Sequence, residues 1–347
     1  MTSSPHRAGR PARRPFTRRP VLLGLGCLAL LASAACGSGV TEPEEPEGTG
    51  ASATSVSNCG KDVTIPEPPQ AIVGLSPSQT ELLLRLGLAD RVVGQAQTNT
   101  APLPEELRAE AEAIPVLSED GPPAREALLN VEPDFVFAPT AYEFTAEQGF
   151  ASEEQLRDAG AAVYIAAGGC PERRMTGTVD DLFTDLTALG AALGAEETAA
   201  ELATEAQASL DDVTNRIEGR EALTVAQVYL EGETLSAIGA GLEYDIIRRA
   251  GGDNVFSPDD SEFSEFFAAQ INPEAIAERD PQALVFTVHD EEHEQATRSY
   301  LERTFPDLAA VREDRLIAIS TSDVFPGTLG NVAAVEQVAR GLYPDAF

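Results

Sequence analysis

The chain has 347 residues, enough for two domains of ordinary size, and carries 57 acidic against 24 basic residues, a net charge of −33. This charge excludes non-specific nucleic-acid binding, which needs a cationic surface. The acids are spread along the chain, so most of them indicate a well-hydrated surface.

The first 35 residues predict an export signal. Six arginines and no acids form a basic head, and an almost wholly apolar run from Val21 to Ala32 follows. That run is too short to span a bilayer as a helix, and small residues come after it. Without residues 1–35 the chain keeps 18 basic and 57 acidic residues, a net charge of −39. The pair Arg18–Arg19 leaves both the Sec and the twin-arginine export routes open.

The ending Ala34-Ala35-Cys36 resembles the lipobox of bacterial lipoproteins, which implies that Cys36 is lipidated and anchors the protein outside the cytoplasm to the cell membrane. Residues 36–57 are rich in Gly, Ser, Thr, Pro and Glu, a composition that predicts a flexible tether. Ordered sequence is expected from Asn58. The alternative is a soluble secreted protein cut near Ala35.

Cysteine counting predicts one disulfide. Of the four cysteines, Cys27 lies in the signal and Cys36 in the lipobox, so Cys59 and Cys170 remain. An exported compartment is oxidising, which favours a bond between them over two free thiols. In the chain-entropy description, a bridge across more than 100 residues stabilises the fold by about 4–5 kcal/mol.

Residues 58–177 predict a first lobe in which short apolar strands alternate with helices. This alternation indicates a mainly parallel sheet covered on both faces. A helix is expected to begin at Pro77, because Pro suits a first helical turn. The strands are predicted at 71–75, 91–94, 134–138 and 163–165.

Residues 178–218 predict an interlobe helix, since Leu residues recur there at helical spacing in an Ala-rich stretch. Gly190 and Gly194 mark a candidate turn within it. Residues 219–347 then repeat the strand–helix alternation and predict a second lobe. The strands of this lobe are expected at 223–230, 283–288 and 315–319.

Glu126 and Glu274 begin two copies of one pattern. In each copy six residues separate the Glu from Pro133 or Pro281, and an apolar run of strand type follows. The two Glu residues and the two Pro residues are both 148 positions apart. A short helix that ends near a Pro and leads into a buried strand is half of an α/β unit. The repetition therefore predicts two lobes of similar build with a ligand cleft.

Several stretches between Asn58 and Phe347 carry a family resemblance. They are Val73 to Glu81, Glu126 to Asp134, Ala250 to Phe256, Glu274 to Pro281 and Tyr300 to Val311. In this order, and behind an export signal, they resemble the substrate-binding proteins of ABC importers for ferric siderophores, haem and cobalamin. The resemblance implies two Rossmann-like α/β lobes with mainly parallel sheets joined by a long helix. It also implies a monomer without enzymatic activity or cofactor that delivers a ferric siderophore or similar chelate to importer membrane subunits.

Glu126 and Glu274 match the family positions that contact arginines of the two membrane subunits. Two carboxylates on one face would fix the docking orientation through charge-assisted hydrogen bonds. The alternative is that each is an acid in a first helical turn, where the helix dipole favours negative charge.

Ligand contacts in such folds come from loops at the strand ends that face the cleft. The candidates are Ser76, Thr98, Thr140, Tyr142, Tyr229, Glu231, Asp323 and Phe325. Thr321 to Asp323 resembles a stretch of the cobalamin-binding protein in which the Asp faces the ligand, but that pocket is walled by Trp and this chain has none. Hydroxamate siderophore sites in the family use an Arg with aromatics, and Arg173 and Arg174 are candidates because they lie near a strand end.

His289 and His293 suggest a different function. Their spacing of four residues can bind zinc, although no Glu follows the first His as in zinc proteases. A solvated acidic loop without a metal site is the simpler interpretation. An extracytoplasmic metal-dependent enzyme built on these histidines is the second hypothesis, and a chelate receptor without an importer is the third.

Overall fold

The computed structural model describes residues 53–347, which fold around two main β-sheets. The predicted signal at 1–35, the lipidation site Cys36 and most of the predicted tether lie outside the described residues. We call residues 53–177 the N-terminal lobe and residues 219–347 the C-terminal lobe. The two-lobed α/β architecture predicted from the sequence is confirmed.

The N-terminal lobe contains a wholly parallel sheet of five strands in the order β5-β4-β3-β6-β7. The strands are β3 (Ile72–Gly74), β4 (Val92–Ala96), β5 (Val116–Ser118), β6 (Phe135–Ala138) and β7 (Ala162–Ile165). The helices are α1 (Pro77–Arg85), α2 (Glu105–Ala111), α3 (Arg125–Leu129) and α4 (Glu153–Asp158). The interior strand β6 is apolar and buried throughout, as expected where helices cover both faces of a parallel sheet.

An antiparallel hairpin precedes this sheet, and the sequence analysis did not predict it. Strands β1 (Thr54–Asn58) and β2 (Lys61–Ile65) are joined by Cys59 and Gly60, which both have positive φ. Ordered structure therefore begins before Asn58, inside the predicted tether, because Val56 and Ile65 are buried in the core. The hairpin turn carries Cys59 to Cys170, and the predicted disulfide is confirmed, with 5.3 Å between the Cα atoms.

Two helices connect the lobes over the predicted interlobe stretch, and the turn between them falls at Gly194, one of the two glycines that marked a candidate turn. Helix α5 (Asp181–Leu193) ends at Gly194, which has a left-handed conformation, and helix α6 (Glu196–Ile217) follows. Gly190 lets the two helices approach closely, since a Cβ there would lie 2.8 Å from the Cβ of Ala199. Helix α5 contacts β1, whereas α6 contacts the last helix of the C-terminal lobe, so the pair joins both lobes.

The C-terminal lobe contains a mixed sheet in the order β11-β9-β8-β12-β13, with β10 also paired to β8. The strands are β8 (Leu223–Glu231), β9 (Thr234–Ile238), β10 (Gly252–Asn254), β11 (Ala268–Gln270), β12 (Ala283–Val288) and β13 (Leu316–Ser320). The helices are α7 (Gly241–Arg249), α8 (Pro273–Arg279), α9 (Glu291–Thr304), α10 (Ala309–Arg312) and α11 (Gly330–Leu342). Across residues 53–347, no helix combines the length and apolarity needed to cross a membrane.

The two copies of the Glu–Pro pattern adopt the same local structure. Glu126 and Glu274 are each the second residue of a short helix, α3 or α8, that leads into a buried strand. Glu132 and Asp280, the residues directly before the prolines, have φ values of 47° and 42°. Residues other than Gly seldom adopt positive φ, so the shared conformation indicates that the two lobes repeat one unit.

A continuous apolar core joins the lobes. One buried cluster contains residues of the N-terminal sheet, of the α5–α6 pair and of the C-terminal lobe. Phe137, Leu186, Leu210, Ile247 and Val335 are members of it. Because these side chains are close-packed, separating the lobes would expose apolar surface to water.

Asp245 on α7 adds a polar link between the C-terminal lobe and the stretch that leads into α5. Its carboxylate accepts hydrogen bonds from the Val179 backbone N–H at 3.0 Å and from Arg249 Nε at 2.7 Å. Arg249 also pairs with Asp180 beside the start of α5. Asp245 is buried, so its loss would leave a buried backbone donor and a half-buried guanidinium without this partner.

Asp245→Ala is expected to lower the free energy of unfolding by about 3 kcal/mol, because removing one partner of a buried ion pair leaves the other unpaired. Asp212→Ala is the matched control, since Asp212 forms an exposed pair with Arg216 at the same four-residue spacing. Its loss should cost less than about 0.5 kcal/mol. Urea unfolding of both variants measures the difference, and equal losses would contradict a special role for Asp245.

Candidate ligand-binding site

A cavity of about 270 Å³ lies between the two lobes. Tyr229 from β8 and Thr287 from β12 form part of its wall, together with the loop that follows β13. Gly168 and Arg174, which follow β7, border it from the N-terminal lobe. The cavity thus lies at the carboxyl ends of the parallel strands, where open α/β sheets bind their ligands.

Arg174 is the residue that gives this cavity a specific chemistry. Its guanidinium carbon lies 4.9 Å from the centre of the Phe267 ring, a cation–π contact. Within residues 53–347 its side chain makes no hydrogen bond and no ion pair shorter than 4.0 Å, and electrostatic influence from Glu143 and Glu243 is the only effect of neighbouring charges. Its N–H donors are therefore available to a ligand.

Two carboxyl groups flank Arg174, one from each lobe. Glu143 accepts hydrogen bonds from Thr140 Oγ1 at 2.7 Å and from the Thr140 backbone N–H at 3.2 Å. Glu243 accepts one from Gln227 Nε2. Both carboxyls are thus held by their own lobe, and within residues 53–347 neither bonds directly to the Arg174 guanidinium.

Burial beside the cavity shifts the pKa values of Glu143, Arg174 and Glu243. Burial raises the pKa of Glu243 to about 8, against a smaller opposing effect of Arg174, although the side chain keeps some solvent access. Burial also raises the pKa of Glu143, and loss of hydration lowers the pKa of Arg174. A ligand that brings charge into the cavity will therefore change the protonation of these carboxyls.

Two of the eight predicted ligand residues, Tyr229 and Phe325, line the cavity. The Tyr229 hydroxyl donates to Glu231, an exposed predicted residue, and lies 3.3 Å from His289 Nε2. Loss of hydration and the bond to Glu231 raise the pKa of Tyr229. Arg174, a sequence candidate for the Arg of a hydroxamate site, lies in the same cavity.

Ser76 and Thr140 lie where the strands end, but their hydroxyls donate hydrogen bonds to other side chains of the protein. Ser76 is buried and donates to Gln79, whose amide in turn donates to the Pro326 carbonyl at 2.9 Å across the cleft. Thr140 is buried and donates to Glu143. Both therefore position neighbours of the cavity, and neither lines it.

The remaining predicted residues do not line the cavity. Thr98 borders a separate groove beside α1 and β5. Tyr142 is 54% exposed and packs edge-on against Phe150. Asp323 lies against Gly330 at the start of α11, and burial, with a smaller effect of Glu81, raises its pKa to about 7. Their contact with a ligand stays a prediction.

Sequence reasoning missed most of the C-terminal wall. Ser236 and Ile238 come from β9, a strand that was not among the predicted elements, and Phe267 and Ala268 come from the approach to β11 and its first residue. Gly232 has positive φ in the short turn between β8 and β9, and a Gly-containing turn between two alternating strands is a hairpin signal. That signal could have identified β9.

A larger groove of about 690 Å³ lies on the outside of the N-terminal lobe. Residues of the β1–β2 hairpin, β7 and α4 form it, including Lys61, Glu153 and Arg157. No residue of the C-terminal lobe contributes to it. We place the ligand site in the smaller cavity for three reasons. Residues of both lobes line it, it lies at the carboxyl ends of the strands, and it contains the Arg174 guanidinium, which has no ion-pair partner among residues 53–347.

His289 and His293 do not present two free ring nitrogens. His293 Nδ1 accepts from the His289 backbone N–H at 3.3 Å, and its Nε2 lies 2.9 Å from the Leu230 carbonyl oxygen, to which it donates. His293 is thus engaged by the backbone. The group with metal-binding geometry in residues 53–347 is Cys59, Cys170 and Glu172, and there the sulfurs form the disulfide.

Glu126 and Glu274 are both exposed. Glu126 pairs with Arg125 at 2.6 Å, and the backbone N–H of Glu274 donates to the capping Asn272. Exposed ion pairs contribute little stability, so the Glu126 carboxylate can exchange Arg125 for another cation. No ion pair involves the Glu274 carboxylate within residues 53–347.

Comparisons with known proteins agree with this architecture. Residues 72–321 match the family described as periplasmic binding protein. The chain is 25% identical over 294 residues to an uncharacterized ABC transporter substrate-binding lipoprotein of Bacillus subtilis, covering 83% of this chain and 84% of that protein.

Solved structures share the fold. A periplasmic binding protein from Veillonella parvula superposes with a TM-score of 0.74 at 20% identity, covering 84% of this chain and 98% of that one. A structure described as an ABC-type Fe3+-hydroxamate transport system from Saccharomonospora viridis has a TM-score of 0.67 at 24% identity, with coverage of 83% and 98%.

The raised pKa of Glu243 predicts a specific pH dependence of stability. The folded state binds this proton more tightly than the unfolded state, so the stabilising contribution is complete below about pH 4.5 and is lost as the pH rises towards 8. Between pH 5 and 8 the wild type should therefore lose on the order of 2 kcal/mol more than Glu243→Gln.

Denaturant titrations at several pH values measure this difference. Glu233→Gln, at an exposed acid in the β8–β9 turn, is the control and should follow the wild-type curve. Burial also raises the pKa values of Asp185 and Asp323 to about 7. Both residues are present in all three proteins, so their contribution to the pH dependence of stability is the same in each curve. Parallel curves for wild type and Glu243→Gln would show that Glu243 is not proton-linked to folding.

Proposed function

Because this chain belongs to the periplasmic binding protein family, a class of solute-binding proteins and not of enzymes, we propose that it captures a ferric siderophore and delivers it to an ABC importer. The second hypothesis from the sequence, a metal-dependent enzyme, gains no support from this family. Among ferric siderophores, we propose a hydroxamate chelate as the ligand.

The observation that carries this proposal is the unpaired Arg174 guanidinium inside an aromatic-walled cavity between the lobes. Hydroxamate oxygens carry negative charge at the iron centre, and a guanidinium donates to such oxygens in charge-assisted hydrogen bonds. Phe267, Phe325 and Tyr229 supply apolar surface for the carbon backbone of the chelate. The likeness to the Saccharomonospora viridis protein supports the same ligand class.

We also propose that the protein acts outside the cytoplasm, anchored through a lipid on Cys36. The lipobox-like sequence at Ala34 to Cys36 supports this anchor, as does the similarity to a Bacillus subtilis lipoprotein. Residues 36–53 would then act as the tether that lets a monomeric binding domain reach its importer.

Docking onto the importer is assigned to Glu126 and Glu274. They occupy equivalent positions in the two repeated units, both are exposed, and both stand in the first turn of a helix. Two equivalent carboxylates suit a pair of membrane subunits that each offer a cationic side chain.

Arg174→Gln is expected to weaken binding of a ferric trihydroxamate by about 10- to 100-fold, because hydrogen bonds to charged groups contribute roughly 1.5–3 kcal/mol. Isothermal titration calorimetry measures the affinity. Arg157→Gln is the matched control, since Arg157 lines the larger outer groove and is remote from the interlobe cavity. A loss of affinity in Arg157→Gln with none in Arg174→Gln would move the ligand site to that groove.

Charge reversal at Glu126 and Glu274 together should abolish chelate uptake by cells while leaving the chelate affinity of the purified protein within about twofold, because charged interface pairs set orientation and encounter rate. Reversal at Glu197 and Glu201, two exposed acids of α6, is the control and should leave uptake intact. Normal uptake by the Glu126/Glu274 variant would refute the docking assignment.

A further inference from the structure

The segment that carries Arg174 runs from the N-terminal lobe to α5 without regular secondary structure and contacts the C-terminal lobe on the way. We call residues 170–178 the bridging segment. The Met175 carbonyl accepts a hydrogen bond from the backbone N–H of Gly241, the first residue of α7, at 3.2 Å. Packing is so close there that a Cβ on Gly241 would lie 2.6 Å from the Arg174 carbonyl oxygen. The orientation of Arg174 therefore depends on how this segment is held.

The far end of the bridging segment is held by one carboxylate. Asp181, at the start of α5, accepts two hydrogen bonds from Arg173 Nη2, both at 2.8 Å, and one from the Thr178 backbone N–H at 2.7 Å. This contact fixes the exit of the segment on the connecting helix.

The near end is held by the disulfide. The Cys170 carbonyl accepts the backbone N–H groups of both Arg173 and Arg174, at 2.8 and 3.1 Å. The Cys170 side chain is bonded to Cys59 at the tip of the β1–β2 hairpin. The backbone turn that directs Arg174 is thus built on a covalently anchored residue.

The hairpin itself has a separate attachment to the lobe. The Asn58 side chain donates to the Ile165 carbonyl at 2.6 Å and accepts from the Ile165 backbone N–H at 2.9 Å. The hairpin can therefore stay on β7 when the disulfide is absent, and the two attachments can be removed one at a time.

We propose that the Cys59–Cys170 disulfide is a positioning element of the ligand site, which holds the bridging segment so that the Arg174 guanidinium faces the interlobe cavity. The proposal rests on the function proposed above for Arg174. It gives the disulfide a role in affinity beyond the stability expected of any long-range bridge. A segment that is ordered before the ligand arrives loses less conformational entropy on binding, which raises affinity.

The test is a double-mutant cycle with a ferric trihydroxamate as probe, at a temperature where circular dichroism shows every variant folded. Cys59→Ala with Cys170→Ala should weaken binding about 5- to 10-fold in the wild-type background and less than about twofold in the Arg174→Gln background, because the two changes act through one group. Equal losses in both backgrounds, or no loss in either, would overturn the proposal.

Asn58→Ala is the control for stability. It loosens the hairpin but keeps the disulfide, so affinity should stay within about twofold of the wild type although the protein becomes less stable. A loss of affinity in Asn58→Ala as large as that in the cysteine double variant would mean that affinity follows stability alone, and the proposal would fail.

A second measurement separates this proposal from the proposed function. If the wild type binds no ferric chelate, the proposed function fails, and amide hydrogen exchange in the ligand-free protein then decides the role of the disulfide. Exchange at Arg173 and Arg174, whose N–H groups bond to Cys170, should be at least about tenfold faster in the cysteine double variant and unchanged in Asn58→Ala. Unchanged exchange in both variants would sink the proposal.

Discussion

The continuous apolar core between the lobes is the constraint on which the rest of this structure depends. Helices α5 and α6 carry that core from the N-terminal sheet to α7 and α11, and Asp245 adds a buried polar link beside it. A wide hinge motion would expose this surface to water, so we expect the cleft to keep nearly the same geometry with and without ligand. Capture must therefore rely on side chains that already stand in place, and Arg174 is the charged one among them.

Much of the fold could be predicted because its signals are local. Five of the six residues of strand β12 are apolar, and α1 begins at a proline, so short-range patterns suffice for both. The repeated Glu–Pro spacing revealed two lobes, because the same helix–strand unit must satisfy the same backbone geometry twice. The disulfide followed from compartment chemistry and from the small number of cysteines.

The site was only partly predictable because it depends on where loops turn in three dimensions. Ser76 follows a strand as predicted, yet its hydroxyl donates to Gln79 and does not face the cavity. This orientation depends on the opposite lobe, because the Gln79 amide donates to the Pro326 carbonyl. Phe267 is brought to the cavity by β11, a short edge strand with little apolar pattern. Arg174 reaches the cavity on a segment that packs against Gly241 of the C-terminal lobe, and this contact joins residues that lie far apart in the sequence.

The most direct test of the central claim is a thermal-shift panel on the chain from Gly37 onward with ferric hydroxamate and ferric catecholate siderophores, haem, cobalamin and bare metal ions. A ligand at 100 times its dissociation constant stabilises the folded state by roughly 2.7 kcal/mol, a shift that is readily measured. The account predicts such a shift with a ferric hydroxamate and none with a bare ion. A thermal shift with a bare divalent ion alone, or no shift with any ferric siderophore, would contradict the proposed function.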